Sequence, residues 1–262
     1  MTHPTGFSLA YAVSGLFVGV LVGLTGVGGG SLMTPLLVLL FRFHPATAIG
    51  TDLLYAAVTK SVGTFVHGLA GTVAWRVVGL LAAGSLPGTL LTLWGLSRLG
   101  PPSPHASHLL TALLGAALLL TAASLFARDW LIRWAERFRP NPTGRVQTVL
   151  TVVLGLYLGV FVTLSSVGAG AIGVTALVLL YPTLPLARVV GSDIAHAVPL
   201  TLVAGIGHWL IGSVDWTLLG SLVCGSIPGV IAGSILAPRL RERALRPILA
   251  AILVVVGVRL LA

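Results

Sequence analysis

Apolar residues along this chain gather into ten runs, at roughly 8–24, 31–41, 46–67, 75–97, 107–126, 146–164, 171–181, 187–210, 216–237 and 247–261, with most charges in the intervals. A helix needs about 20 apolar residues to cross the hydrocarbon core. The longer runs therefore predict membrane spans, whereas 31–41 and 171–181 are too short. Each short run follows a glycine-rich break set in apolar surroundings: TGVGGGS from Thr25 to Ser31, and SSVGAG from Ser165 to Gly170. Glycine at this density does not stay helical. In hydrocarbon, freed backbone N–H and C=O groups need partners, so such a break survives only when packed in protein or facing a wet cavity. Two short arms beside two breaks predict half-crossings that meet inside the bilayer, which points to the binding site of a transporter.

Sliding the chain against itself at an offset of 141 places Gly50 and Asp52 on Gly191 and Asp193, and His67 on His208. Gly71, Val73 and Trp75 fall on Gly212, Val214 and Trp216, and Gly84, Ser85, Pro87 and Gly88 on Gly225, Ser226, Pro228 and Gly229. The glycine breaks align one residue out of step, at 140. Shared apolar composition would match leucines and alanines, whereas these matches are glycine, proline, aspartate, histidine and tryptophan in order. The chain is a doubled unit.

The polar residues inside the runs are not scattered. Asp52, Tyr55, Thr59, Lys60, Gly63 and His67 share one helix face. Asp193, His196, Thr201, Ala204 and His208 repeat the stripe. Ionisable groups in a membrane are costly and face a bundle interior or a wet path. Lys60 aligns with Thr201, so its charge serves no symmetric structural purpose, and an anion could use it. A salt bridge to Asp52 or Asp193 is the alternative, and substrate exchange with a carboxylate would reconcile the two. Asp52 and Asp193 follow Gly-Thr and Gly-Ser near expected helix starts, where capping competes with proton or cation coupling. His196 lies deeper than His67 and His208, which are expected near interfacial water, and it is the histidine best placed to handle protons.

Around the breaks, Thr25, Ser31, Ser165 and Ser166 add hydroxyls to the backbone N–H groups at the starts of the arms. Helix N-termini bind oxyanions without a side-chain cation, although glycine also serves close helix packing. No Walker motif, dinucleotide fingerprint or paired metal-ligand spacing occurs, so no cofactor or metal is expected.

Composition settles the class. The 262 residues are 56% hydrophobic and 8% charged, with mean hydropathy +1.04. A soluble chain this short could not hide that much apolar surface. The net charge of +9 comes from arginines in loops, not from a stripe suited to nucleic acid. Cys224, the single cysteine, cannot form an intrachain disulfide and reads as a small packing residue. The first residues lack the basic region and cleavage site of a secretory signal, so the first span is expected to be retained.

Arginines also orient the halves. If each half crosses the membrane an odd number of times and the linker is inside, eleven arginines are cytoplasmic and three, Arg42, Arg98 and Arg259, are outside. If each broken pair is one discontinuous span, the split is seven against seven. The positive-inside rule prefers the first. The expected architecture is an all-α polytopic membrane protein: two homologous halves as an inverted repeat, 1–127 and 146–262, each with a glycine-broken helix pair plus three transmembrane helices. Both termini are expected to be periplasmic. The linker at 128–145 is amphipathic and reads as a cytoplasmic interfacial helix, and PPSP at 101–104 as a rigid outer turn.

TGVGGGSLMTPLL and ATAIGTDLL, echoed by SSVGAGAIG, ARVVGSDIA and GSIPG, resemble the TauE/SafE family of sulfite exporters, the toluene sulfonate uptake permease group. The resemblance covers nearly the whole chain. It implies two homologous halves and secondary transport of sulfite, thiosulfate or organosulfonates across a bacterial inner membrane. The second half departs from the glycine-rich form, with Ser166, Ala169 and Ala171 where the first has Gly26, Gly29 and Ser31.

On this reading Thr25, Gly28, Gly29, Gly30 and Ser31 bind the anion, assisted by Ser165, Ser166, Gly168 and Gly170. Lys60 supplies charge, and Asp52, Asp193 and His196 couple transport, to protons by expectation. The partners expected are a small anion and the lipid bilayer, with a homo-oligomer as an option. Rival readings are a passive anion channel, a carrier for another small organic anion, a non-transporting assembly partner, and an intramembrane hydrolase pairing Ser165 or Ser166 with His196 or His208.

Overall fold

The computed structural model describes residues 8–25, 30–98, 104–138, 144–168, 170–236 and 242–261. Among them are ten helices and no strand: α1 Leu9–Thr25, α2 Gly30–Leu39, α3 Pro45–Leu69, α4 Trp75–Arg98, α5 Pro104–Phe138, α6 Arg145–Ser165, α7 Ala171–Leu180, α8 Leu186–Leu210, α9 Trp216–Leu236 and α10 Glu242–Leu261. Parts of the expected outer turn and linker, and Gly26, Gly28 and Gly29, lie outside the described residues.

The element order is that of the hydropathy pattern. α2 and α7 have 10 residues each, about 15 Å at 1.5 Å per residue, half of a hydrocarbon core about 30 Å thick. Among the described residues, five helices are long and apolar enough to cross a membrane: those from Trp75, Ser107, Arg145, Leu186 and Trp216. α3, at 25 residues, is as long as α8. The amphipathic 128–145 stretch is not a separate element at its start, because α5 runs unbroken through Arg128 to Phe138.

The repeat reappears as a pattern of partners. α1 lies along α9, and their counterparts α6 and α4 lie along each other; α3 crosses α8, and α5 packs on α10. Glycines set the closest approaches. A β-carbon at Gly15 or Gly19 would run into the backbone of Leu222 or Ser226, and one at Gly155 or Gly159 into that of Leu81 or Ser85. Both contacts advance in the same direction along the two helices, so each of these pairs is parallel. The central pair is antiparallel: Gly50, early in α3, abuts Ser213 and His208 beyond and late in α8, and Gly191 abuts Thr72 and His67. Two reciprocal hydrogen bonds tie this crossing, from Asp215 N–H to Thr51 Oγ1 (3.1 Å) and from Ala74 N–H to Ser192 Oγ (2.8 Å).

α3 and α8 stop by the same device. Gly71 and Gly212 adopt φ of +65° and +82°, a region where only glycine is comfortable. The two turns close with N–H donation from Thr72 to the His67 carbonyl and from Ser213 to the His208 carbonyl, 3.0 and 2.8 Å. This is the glycine-capped ending that satisfies the last carbonyls of a helix. It places His67 and His208 at matched positions.

The outside is apolar, with Leu9, Phe17, Leu91, Trp94, Leu210 and Ile235 exposed, while Asp52, Asp193 and His196 are completely enclosed. That inside-out distribution fits a chain surrounded by lipid.

Candidate functional site

The two polar stripes meet where α3 crosses α8. Asp52 sits seven residues into α3, which starts at Pro45 behind His44 in extended conformation. Asp193 sits at the matching place in α8, behind Pro185. Neither aspartate caps its own helix, which corrects the capping expectation: proline starts helices here by its fixed φ, and no side chain bonds to the first turn. Each carboxylate lies instead against an early turn of the short helix of its own half. Asp52 Oδ2 accepts the hydroxyl of Thr34 in α2. Asp193 lies against Gly173 in α7, where a β-carbon would run into its Oδ1.

Asp52 also joins the halves. Its Oδ2 accepts a second hydroxyl, Ser166 Oγ at 2.9 Å, from the turn that follows α6. Ser166 reaches it because the chain there turns left-handed, with φ of 57°. A non-glycine residue held in that region is strained by about 1–3 kcal/mol. Gly168 continues the turn at φ +105°, and Gly170 opens α7; both are buried. Ser165, last in α6, is spent on the turn: its hydroxyl donates to Phe161 O at 2.7 Å and accepts Val167 N–H at 3.2 Å.

Lys60, two turns beyond Asp52, is 7% exposed. Asp193 is its strongest electrostatic neighbour and Asp52 the second. Oδ1 of both aspartates and Nδ1 of His196 are buried without a hydrogen-bond partner. His196 Nε2 pairs with Ser85 Oγ of α4 at 2.9 Å. The cluster thus gathers one lysine, two aspartates that act on it electrostatically, hydroxyls from both halves, and a histidine.

His208 departs from expectation. A site near interfacial water is expected, yet His208 is 3% exposed and its Nε2 lies 3.0 Å from the Thr163 carbonyl in the last turn of α6. His67 is half-buried, with Nδ1 2.9 Å from Thr72 Oγ1. The hydrolase pairing is not assembled: Ser165 and Ser166 bond to backbone and to Asp52, and His196 and His208 to Ser85 and to a carbonyl.

In the first half, Thr25 closes α1 and Gly30 and Ser31 open α2. Gly28 and Gly29 fall in the stretch outside the described residues. Thr34 and Ser85 were missed as site residues. Ser85 carried a signal, its match to Ser226; Thr34 looked like any hydroxyl in an apolar helix. Apolar cavities lie elsewhere, one of about 230 Å³ between Phe17, Leu36 and Ile252, another of about 220 Å³ between Leu54, Val198 and Trp216. They offer little to an ion.

The family described as Sulfite exporter TauE/SafE matches residues 11–260. The "Probable membrane transporter protein YjnA" of Bacillus subtilis (strain 168) is 40% identical over 259 residues, 97% of this chain and 100% of that protein. The "Probable membrane transporter protein YdhB" of the same strain is 28% identical, over 83% of this chain and 85% of its own length. A "Probable membrane transporter protein" of Xylella fastidiosa (strain 9a5c) is 28% identical, over 86% and 83%. No solved structure matches.

Proposed function

As this multi-pass membrane protein belongs to the TauE/SafE sulfite exporter family, we propose that it is a secondary active transporter of small sulfur anions: sulfite, thiosulfate or an organosulfonate. The observation that carries the reading is Lys60, a buried lysine under the electrostatic influence of Asp193 and Asp52, whose Oδ1 atoms have no hydrogen-bond partner. With both carboxylates ionised the trio has net charge −1, which repels an anion. Adding a proton to one aspartate brings the trio to neutral, and a second brings it to +1. Anion binding is therefore favoured by protonation of the aspartates, so anion and proton travel together. Asp193, against the first turn of α7, occupies ground that an oxyanion would favour, because free N–H groups and the helix dipole meet there. The anion takes that ground when Asp193 is neutral, with Lys60 as its counter-charge and the Ser165–Gly170 turn, and Thr25–Ser31 in the first half, around it.

The antiparallel crossing of α3 and α8, which are repeat partners, supports an inverted repeat. Alternating access then exposes one enclosed site to the two faces in turn. The burial of Asp52, Lys60, Asp193 and His196 suits a carrier better than a channel, which needs a continuous wet path. Eleven of fourteen arginines fall inside if the linker is cytoplasmic in a bacterial inner membrane.

Uptake of radiolabelled sulfite, thiosulfate and an arylsulfonate into proteoliposomes tests this. The expected result is accumulation on the alkaline side of an imposed pH gradient, abolished by a protonophore. Flux indifferent to the gradient would refute coupling, and absence of flux for all three anions would refute the substrate class.

A further inference from the structure

His67 and His208 are matched by the repeat and end their helices in identical turns, yet they do different things. α6 breaks after Ser165, so the carbonyl of Thr163 loses the N–H that a continuing helix would offer from residue 167. Val167 N–H goes to Ser165 Oγ instead. The freed carbonyl is buried, and His208 Nε2 takes it at 3.0 Å. A carbonyl only accepts, so Nε2 is the donor. This bond holds the turn that presents Ser166 to Asp52.

The first-half counterpart of Thr163 is Gly23. The register of 140 is set by Gly15 with Gly155 and Gly19 with Gly159, whose neighbours Leu222 and Leu81, Ser226 and Ser85 are themselves repeat partners. His67 is not bonded to Gly23. Its Nδ1 meets Thr72 Oγ1, whose own hydrogen goes back to the His67 carbonyl at 3.0 Å. Thr72 has a hydroxyl counterpart in Ser213. The surrounding helix faces differ in the same sense: Gly63, Thr64 and His67 are half-buried, whereas Ala204, Gly205 and His208 are buried. One half is latched and the other is not.

We propose that His67 and His208 are alternating positioning residues for the last turns of α1 and α6, through the carbonyls of Gly23 and Thr163. In the state described, His208 holds the Thr163 carbonyl and His67 rests on Thr72. In the opposite-facing state His67 holds the Gly23 carbonyl and His208 turns to Ser213. Because the halves are repeats of one unit, exchanging their conformations gives a second arrangement of nearly the same contacts, and the histidines bias which one is populated. The inference rests on the inverted-repeat transporter reading.

The test uses the full chain with Cys224→Ala and a single cysteine, Gly63→Cys or Ala204→Cys, labelled in proteoliposomes and detergent by a water-soluble maleimide. With both histidines present, position 63 is expected to label at least about tenfold faster than 204. His208→Ala is expected to lower that ratio about tenfold, and His67→Ala to raise it, the weight of one buried hydrogen bond lost from one state or the other. Gln supplies an N–H near the position of Nε2, so His208→Gln is expected to keep the original ratio. Ratios unmoved by either alanine, moved in the same direction by both, or moved by His208→Gln as by His208→Ala would overturn the proposal. Labelling is read without flux. A wild type that moves no sulfur anion yet shows the opposed shifts would refute the substrate class and keep the latches.

Discussion

Lys60 and Asp193 have separate tasks on this reading, and substitutions separate them. Lys60→Gln keeps a polar side chain, one atom shorter, and removes the counter-charge, so initial rates of sulfite uptake are expected to fall by about 100-fold or more, on the scale of a buried charge pair losing one member. Asp193→Asn is locked in the neutral form. Anion exchange between equal internal and external pools is expected to survive, while accumulation driven by a pH gradient disappears. Loss of both activities would contradict the assignment of Asp193 as the coupling group. Asp52 differs because its Oδ2 is already engaged by two donated hydroxyls, from Thr34 and Ser166. Gly173→Ala offers an independent approach: its β-carbon would displace the Asp193 carboxylate. Gradient-driven uptake is expected to fall at least tenfold with the protein still monodisperse in gel filtration; normal uptake would show that Asp193 can move without consequence.

Among the elements, the parallel pairs α1 with α9 and α4 with α6 are held at backbone contact. A β-carbon at Gly84 would run into the Val152 carbonyl, and one at Gly225 into that of Ala12. Gly79 and Gly220, also repeat partners and in the same helices, have nothing within 4 Å of the corresponding point. Gly84→Ala and Gly225→Ala are expected to destabilise by about 1–3 kcal/mol through forced separation of helices. Gly79→Ala and Gly220→Ala should be neutral or stabilise by up to about 1 kcal/mol from helix propensity. Thermal unfolding in detergent compares the four directly. Equal midpoints would mean that the close crossings contribute nothing to stability.

For the whole molecule, the proposed inverted arrangement would put equivalent residues on opposite faces of the membrane. Trp75 and Trp216 begin α4 and α9 and are well exposed. With Cys224→Ala, a cysteine at 75 is expected to react with an impermeant maleimide from the cytoplasmic side and one at 216 from the outer side. Reaction of both from one side in right-side-out and inside-out vesicles would establish a parallel repeat instead.

Hydropathy runs and glycine breaks determined all ten helices to within a few residues, apart from the ends of α5 and α10, because a membrane helix must satisfy its own backbone and so announces itself locally. Repetition was equally legible, since glycine, proline and aspartate leave marks that apolar drift does not erase. The stripe with Asp52, Lys60, Asp193 and His196 was visible as polarity where lipid forbids it. Which groups meet that stripe was decided only in three dimensions. Thr59 and Thr201 return their hydroxyls to their own helix, at Tyr55 O and Ala197 O, whereas Thr34 and Ser166 reach Asp52 from two other elements. Nothing in the sequence separates these hydroxyls, because the difference lies in how one half is set against the other. The same holds for His67 and His208: one sequence position, repeated, takes two partners, the Thr72 hydroxyl in one half and the Thr163 carbonyl in the other.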